Sequence, residues 1–168
     1  MLAGCSSPVE GQAKPGTVPS SSQASGSASP TSDPSNPFAS MDPCKLLDQV
    51  LAGQGYEPAT PDIADPKRSC GTKKGAIQGQ LGLALQAGQK IDDNIANPAK
   101  AAPAKINGRR SVQEKEPLGD HGDCTIGMEV QSNSRALVLF NSSSKTTDEA
   151  CAAAQDLALK VEPLLPKN

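Results

Sequence analysis

Large rings are almost absent from this sequence. Phe38, Tyr56 and Phe140 are the whole aromatic set, and there is no Trp. A core built without them buries little area per side chain, so Leu, Val, Ile and Ala must fill it. That deficit predicts covalent staples. Histidine is equally scarce. His121 stands alone and no Cys-x-x-Cys occurs, which argues against a zinc site and against a thioredoxin-like redox pair. There is no Gly-x-Ser-x-Gly elbow and no phosphate-binding glycine loop. No run reaches the roughly 20 apolar residues of a membrane-spanning helix. A formal net charge of -2 gives no reason to expect nucleic acid as a partner. The pairs Lys67-Arg68, Lys73-Lys74 and Arg109-Arg110 read as solvated loops.

What is present begins at Leu2-Ala3-Gly4-Cys5. Leu, two small residues and Cys form the pattern of a bacterial lipobox, in which the Cys thiol is alkylated and the chain is cut just before it. Small residues let the backbone enter the peptidase, and only a thiol forms the thioether. Cys5 is therefore the expected lipid-attachment residue. No basic and apolar export segment precedes Leu2, so Met1 is expected to be a truncated or recombinant start. Cysteine arithmetic agrees with the anchor. Of five cysteines, Cys5 takes the lipid, and Cys44, Cys70, Cys124 and Cys151 remain to form two disulfides in an exported domain.

Residues 6–40 hold 11 Ser, 6 Pro and 3 Gly, with Phe38 the only large apolar side chain. Such a composition cannot offset its ordering entropy, so this segment is expected to be a disordered tether. As a flexible coil it would span on the order of 30–35 Å. A single domain is expected over 41–168, with residues 1–5 the lipobox remnant.

In that domain Asp42 is an N-cap and Pro43 the first helical residue, with Leu46, Leu47, Val50 and Leu51 on one face and Gly53 ending the helix. Tyr56 to Cys70, with three prolines, reads as an irregular loop. Ala76–Gln86 reads as a strand, with Ile77, Leu81, Leu83 and Leu85 on one face and Gln78, Gln80 and Gln86 on the other; strict alternation and Gly82 favour it over the alternative of a helix at Leu81–Ala87. Residues 88–105 read as loop with a helical turn near Asp92–Ala96. Asn107-Gly108 is a turn signal. Cys124–Val130 and Ala136–Phe140 make a hairpin across Ser132-Asn133-Ser134. Thr146 and Glu149 form a capping box for a final helix lined by Cys151, Ala154, Leu157, Ala158 and Val161. The expected fold class is α+β, with N-terminal and C-terminal helices packed on one face of a small antiparallel sheet.

Four cysteines allow three pairings. Cys44 with Cys70, and Cys124 with Cys151, is the preferred set. The first ties the start of the opening helix to the approach to the first long strand, the second ties the start of a strand to the final helix, and the loops are of similar length. With these residues in view the chain resembles actinobacterial lipoproteins grouped as domain-of-unknown-function family 3558. The resemblance rests on the lipobox and its Ser/Pro-rich tail, Asp42-Pro43-Cys44 followed by Leu46-Leu47, then Cys70. It continues through Cys124-Thr125-Ile126-Gly127-Met128 and Cys151-Ala152-Ala153-Ala154 on to Leu165-Pro166. Thr72 stands where the family often has an aromatic residue. The resemblance implies a small exported lipoprotein domain and carries over no catalytic residue.

Asp120-His121-Gly122-Asp123 is the only cluster that could suggest catalysis or a metal, since a His between carboxylates can act as base or ligand. The favoured reading is a polar turn entering the Cys124 strand. Asp92-Asp93 reads as another solvated turn. No enzyme, no cofactor and no metal is expected. The leading expectation is a membrane-anchored protein on the extracytoplasmic face whose stapled domain binds a small molecule, an envelope component or a protein. The second is an accessory or chaperone-like subunit docking an envelope or secretion complex. The third is a hydrolase or metal-dependent enzyme using His121 and Asp123.

Overall fold

The computed structural model describes residues 36–75, 79–119 and 121–167. Cys5, Ile77, Gln78 and Asp120, and with them the lipobox and most of the tether, lie outside the described residues. Helix α1 spans Pro43–Leu51, and the Asp42 carboxylate accepts from the Cys44 and Lys45 N–H groups at 2.9 and 3.2 Å. Two donors that the first turn leaves without helical partners are thereby satisfied. Helix α2 spans Thr147–Val161 and starts from a complete capping box between Thr146 and Glu149.

Seven strands follow in chain order: β1 Thr60–Pro61, β2 Ser69–Lys73, β3 Gln80–Ala87, β4 Ala101–Ile106, β5 Arg109–Lys115, β6 Asp123–Gln131 and β7 Ser134–Asn141. They form one antiparallel sheet in the order β1-β2-β3-β7-β6-β5-β4. The sheet is thus two meanders, β1–β3 and β4–β7, zipped together where β3 pairs with β7. Asn107 and Gly108, both at positive φ, close the β4–β5 hairpin as the turn signal required. Pro103 is tolerated because β4 is an edge strand.

The register puts Leu81, Leu83 and Leu85 of β3 opposite Phe140, Val138 and Ala136 of β7, and these opposite Cys124, Ile126 and Met128 of β6. All lie on one face, and all are buried. Helix α1 covers β2 and β3, helix α2 covers β6 and β7, and the two helices touch. The sheet approaches α2 across Ala150, Ala154 and Ala158, each fully buried, so small side chains bring the layers close where rings are lacking. Each meander also carries its own staple: Cys44 of α1 is bonded to Cys70 of β2, and Cys124 of β6 to Cys151 of α2. The sequence separations are 26 and 27 residues, so each link stabilises by about 3.5 kcal/mol in the chain-entropy estimate.

The expected α+β class, antiparallel sheet and two disulfides are present, but several details differ. The domain begins earlier than residue 41. Asn36–Ser40 forms a turn, and Phe38 is buried in the core rather than part of a tether. One large apolar side chain suffices to dock this end of the Ser/Pro-rich stretch. The sheet is larger than expected because polar, proline-containing edge strands carry little apolar alternation. Thus β1 lies inside the expected Tyr56–Cys70 loop, and all of β4 but Ile106 falls in the expected 88–105 loop. In place of a helical turn near Asp92–Ala96 there is a turn over 91–94 and a short 3-10 turn at Pro98–Lys100.

Candidate functional site

Of the cluster singled out around His121, Asp120 lies outside the described residues, and His121 and Asp123 stand in opposite surroundings. His121 is 92% exposed, and its Nδ1 lies 3.1 Å from Glu116 Oε1. Asp123 is fully buried at the start of β6, where its Oδ2 accepts from the Leu118 N–H at 2.9 Å. It closes the 116–123 turn. Gly122 enters that turn at positive φ, and a Cβ there would overlap the Ser142 carbonyl. No group of three or more His, Cys, Asp and Glu side chains suited to a metal occurs among the described residues.

The side chain that organises this end is Glu116, itself at φ 54°. Its carboxylate accepts from Lys100 and from the Thr147 hydroxyl, the latter at 2.6 Å, and pairs with His121. The Lys100 ammonium, followed by Thr147, holds the Glu116 carboxyl down to about 2 against the opposing effect of desolvation. Such a group stays ionised at neutral pH and has no proton to donate. A depression of about 710 Å³ opens beside it at the start of α2. Its other lysines are paired as well, Lys115 with Asp148 and Lys145 with Glu149. This end is a neutralised polar knot joining β5 to α2.

The opposite, outer face of the sheet is different. Its β5–β6–β7 part is covered by residues 88–97. Buried Ile91 sits over Gly127, its Cγ1 3.8 Å from where a Cβ would stand. Arg135, also on this face, fixes that cover. Its guanidinium donates to Gln86 Oε1 and Gln89 Oε1 at 2.8 Å, to the Lys90 carbonyl at 3.2 Å and to the Asp93 carbonyl. Desolvation makes its proton easier to remove than usual, so those acceptors matter. Arg110 bridges Asp92 and Glu129, and Glu114 accepts from the Asn97 N–H.

Over β2 and β3 the same face is open. Gly71 pairs with Gly82, and Gly82 in turn with Leu139. This bare stretch floors a cleft of about 450 Å³ walled by Pro58, Thr60–Ile63 and the Glu57–Lys73 ion pair. Neither glycine has a positive φ. A Cβ on Gly71 would meet the Leu81 carbonyl oxygen at 3.6 Å, and one on Gly82 would meet Leu139 Cβ at 3.6 Å, both ordinary contacts. Neither backbone strain nor crowding calls for glycine here, although glycine weakens a strand interior. Ile63 projects at the rim, 99% exposed. In the sequence Gly82 signals only a strand rather than a helix. The β2–β3 register sets it against Gly71, in a strand whose first two residues lie in the expected Tyr56–Cys70 loop.

Comparison with known proteins adds family membership. Residues 1–164 match the family described as Protein of unknown function (DUF3558). No curated protein and no solved structure matches. The chain belongs to that family, whose description assigns no activity and no residue role.

Proposed function

We propose that this family member is a lipid-anchored protein of the cell envelope, held to the extracytoplasmic face of the membrane through Cys5 and presenting a stapled binding domain. The pair of disulfides carries this reading. Each ties a helix to the sheet in a domain poor in rings, and such bonds persist in oxidising compartments. The Leu2-Ala3-Gly4-Cys5 pattern and the Ser/Pro-rich stretch behind it support the anchor and a spacer, and the family match includes them. The open cleft on β2–β3, floored by glycine backbone and edged by Pro58, Pro61 and Ile63, supports recognition. An accessory subunit docking a larger complex is the second reading, favoured by the exposed Ile63 at the cleft rim.

Fractionation of cells expressing a precursor with an upstream export signal tests the anchor. The native protein is expected in the membrane fraction, and Cys5→Ala in the soluble extracytoplasmic fraction. Membrane retention of Cys5→Ala would overturn the anchor.

A further inference from the structure

Three glycines of the outer sheet face lack a positive φ, and they fall into two environments. Gly127 is occupied by the chain itself: Ile91, from a segment without helix or strand, rests on it. Gly71 and Gly82 stand side by side with room for side chains they do not have. We infer that the Gly71–Gly82 trough binds an extended peptide segment, which lowers an aliphatic side chain onto the bare backbone as Ile91 does at Gly127. This inference rests on the binding-domain reading above and gives it a site and a ligand class.

The occupant's chemistry follows from the lining. Glu57 and Lys73 neutralise each other at 3.6 Å, which leaves Asp62 as the unbalanced charge of the cleft. Its Oδ1 accepts from the Ala64 N–H, and among the described residues no cation lies within ion-pair distance of it. Asp62 is exposed and free to meet a ligand cation. The segment therefore carries a Lys or Arg beside its aliphatic residue. An anionic ligand is disfavoured by the same carboxylate, and a sugar by the absence of an aromatic ring among the residues lining the cleft. Pro58 and Pro61 keep the wall from offering a continuous ladder of N–H donors, so the side chain in the trough, not strand addition, gives the affinity.

The test titrates the full unlipidated chain with a capped peptide of alternating Thr and Ile ending in Arg, followed by fluorescence anisotropy of a label on the peptide. Saturable binding at or below about 1 mM is expected, as for a small transient contact. Glu in place of Arg is expected to weaken it at least about tenfold, and Asp62→Lys to reverse that preference. Gly82→Leu fills the trough and is expected to abolish binding. If Gly82→Leu does not fold, the charge reversal at exposed Asp62 decides the matter alone. No saturation up to about 1 mM, or binding indifferent to both substitutions, overturns the inference. So does preferential, Gly82→Leu-sensitive binding of a neutral alkyl detergent, which would make the occupant an acyl chain. Because this assay contains no membrane, its failure leaves the Cys5 anchor standing, and failure of the anchor leaves the peptide site standing.

Discussion

The two halves of the outer sheet face have similar floors and opposite fates. Over β5, β6 and β7, Gly127 is roofed by Ile91, and the roof is pinned by Arg135, by Arg110 through Asp92 and by Glu114 through the Asn97 N–H. Over β2 and β3, Gly71 and Gly82 are left to solvent between Leu139 and the Thr60–Ile63 wall. The chain has an 88–97 segment long enough to roof one half and spends a buried arginine to hold it there, but the short Glu57–Ile63 segment stops at the edge of the other. Local structure at the two sites is alike, so the difference lies in packing. One half is stability, and the other is available surface.

Arg135→Ala should break the comparison most severely. Losing the guanidinium frees the Lys90 and Asp93 carbonyls and lets Ile91 lift with them, for about 3–4 kcal/mol in chemical denaturation. Both halves would then exchange amide hydrogens at similar rates. Ile91→Ala should cost about 2–3 kcal/mol, because the buried side chain is removed while its pins stay. An equal loss from Ile63→Ala at the open half would contradict the account, since Ile63 is 99% exposed.

The sharpest contrast is a pair of identical substitutions. Gly127→Ala should destabilise by about 1 kcal/mol, since its Cβ stands 3.3 Å from Leu137 Cδ2 beneath Ile91. Gly82→Ala should instead stabilise by about 0.5 kcal/mol, because the Cβ fits and the unfolded chain loses freedom. Equal signs in thermal melts would erase the distinction between roofed and open glycine.

Acid pH separates both halves from the Glu116 knot. Its folded value of about 2 lies below the ordinary 4.5, so its contribution is complete above that ordinary value. That contribution is lost as pH falls from about 4.5 through about 2. Glu116→Gln should flatten this part of the stability profile, while Gly82→Ala and Gly127→Ala leave its shape unchanged.

How much of this was legible in the sequence depended on which signal each element carries. Helix α1 was readable from Asp42, Pro43 and its apolar face, and α2 from Thr146, Glu149 and the Cys151–Val161 stripe, because caps and periodicity are local. The β6–β7 hairpin was readable from alternation. Strands β1 and β4 were not, since Thr60-Pro61 and Ala101–Ile106 owe their strand conformation to a neighbour rather than to burial. Glu116 was missed as the centre of the polar knot because its partners Lys100 and Thr147 are 16 and 31 residues away. The Gly71–Gly82 trough needs the register of a strand pair, which no local pattern supplies.

The most direct test of the open half is amide chemical-shift mapping during titration with the Ile- and Arg-containing peptide. Shifts are expected to be confined to Gly71, Gly82, Leu139 and the Thr60–Ile63 wall. Shifts centred instead on Ile91 and Gly127, or on Glu116 and Thr147, would contradict a site in the trough.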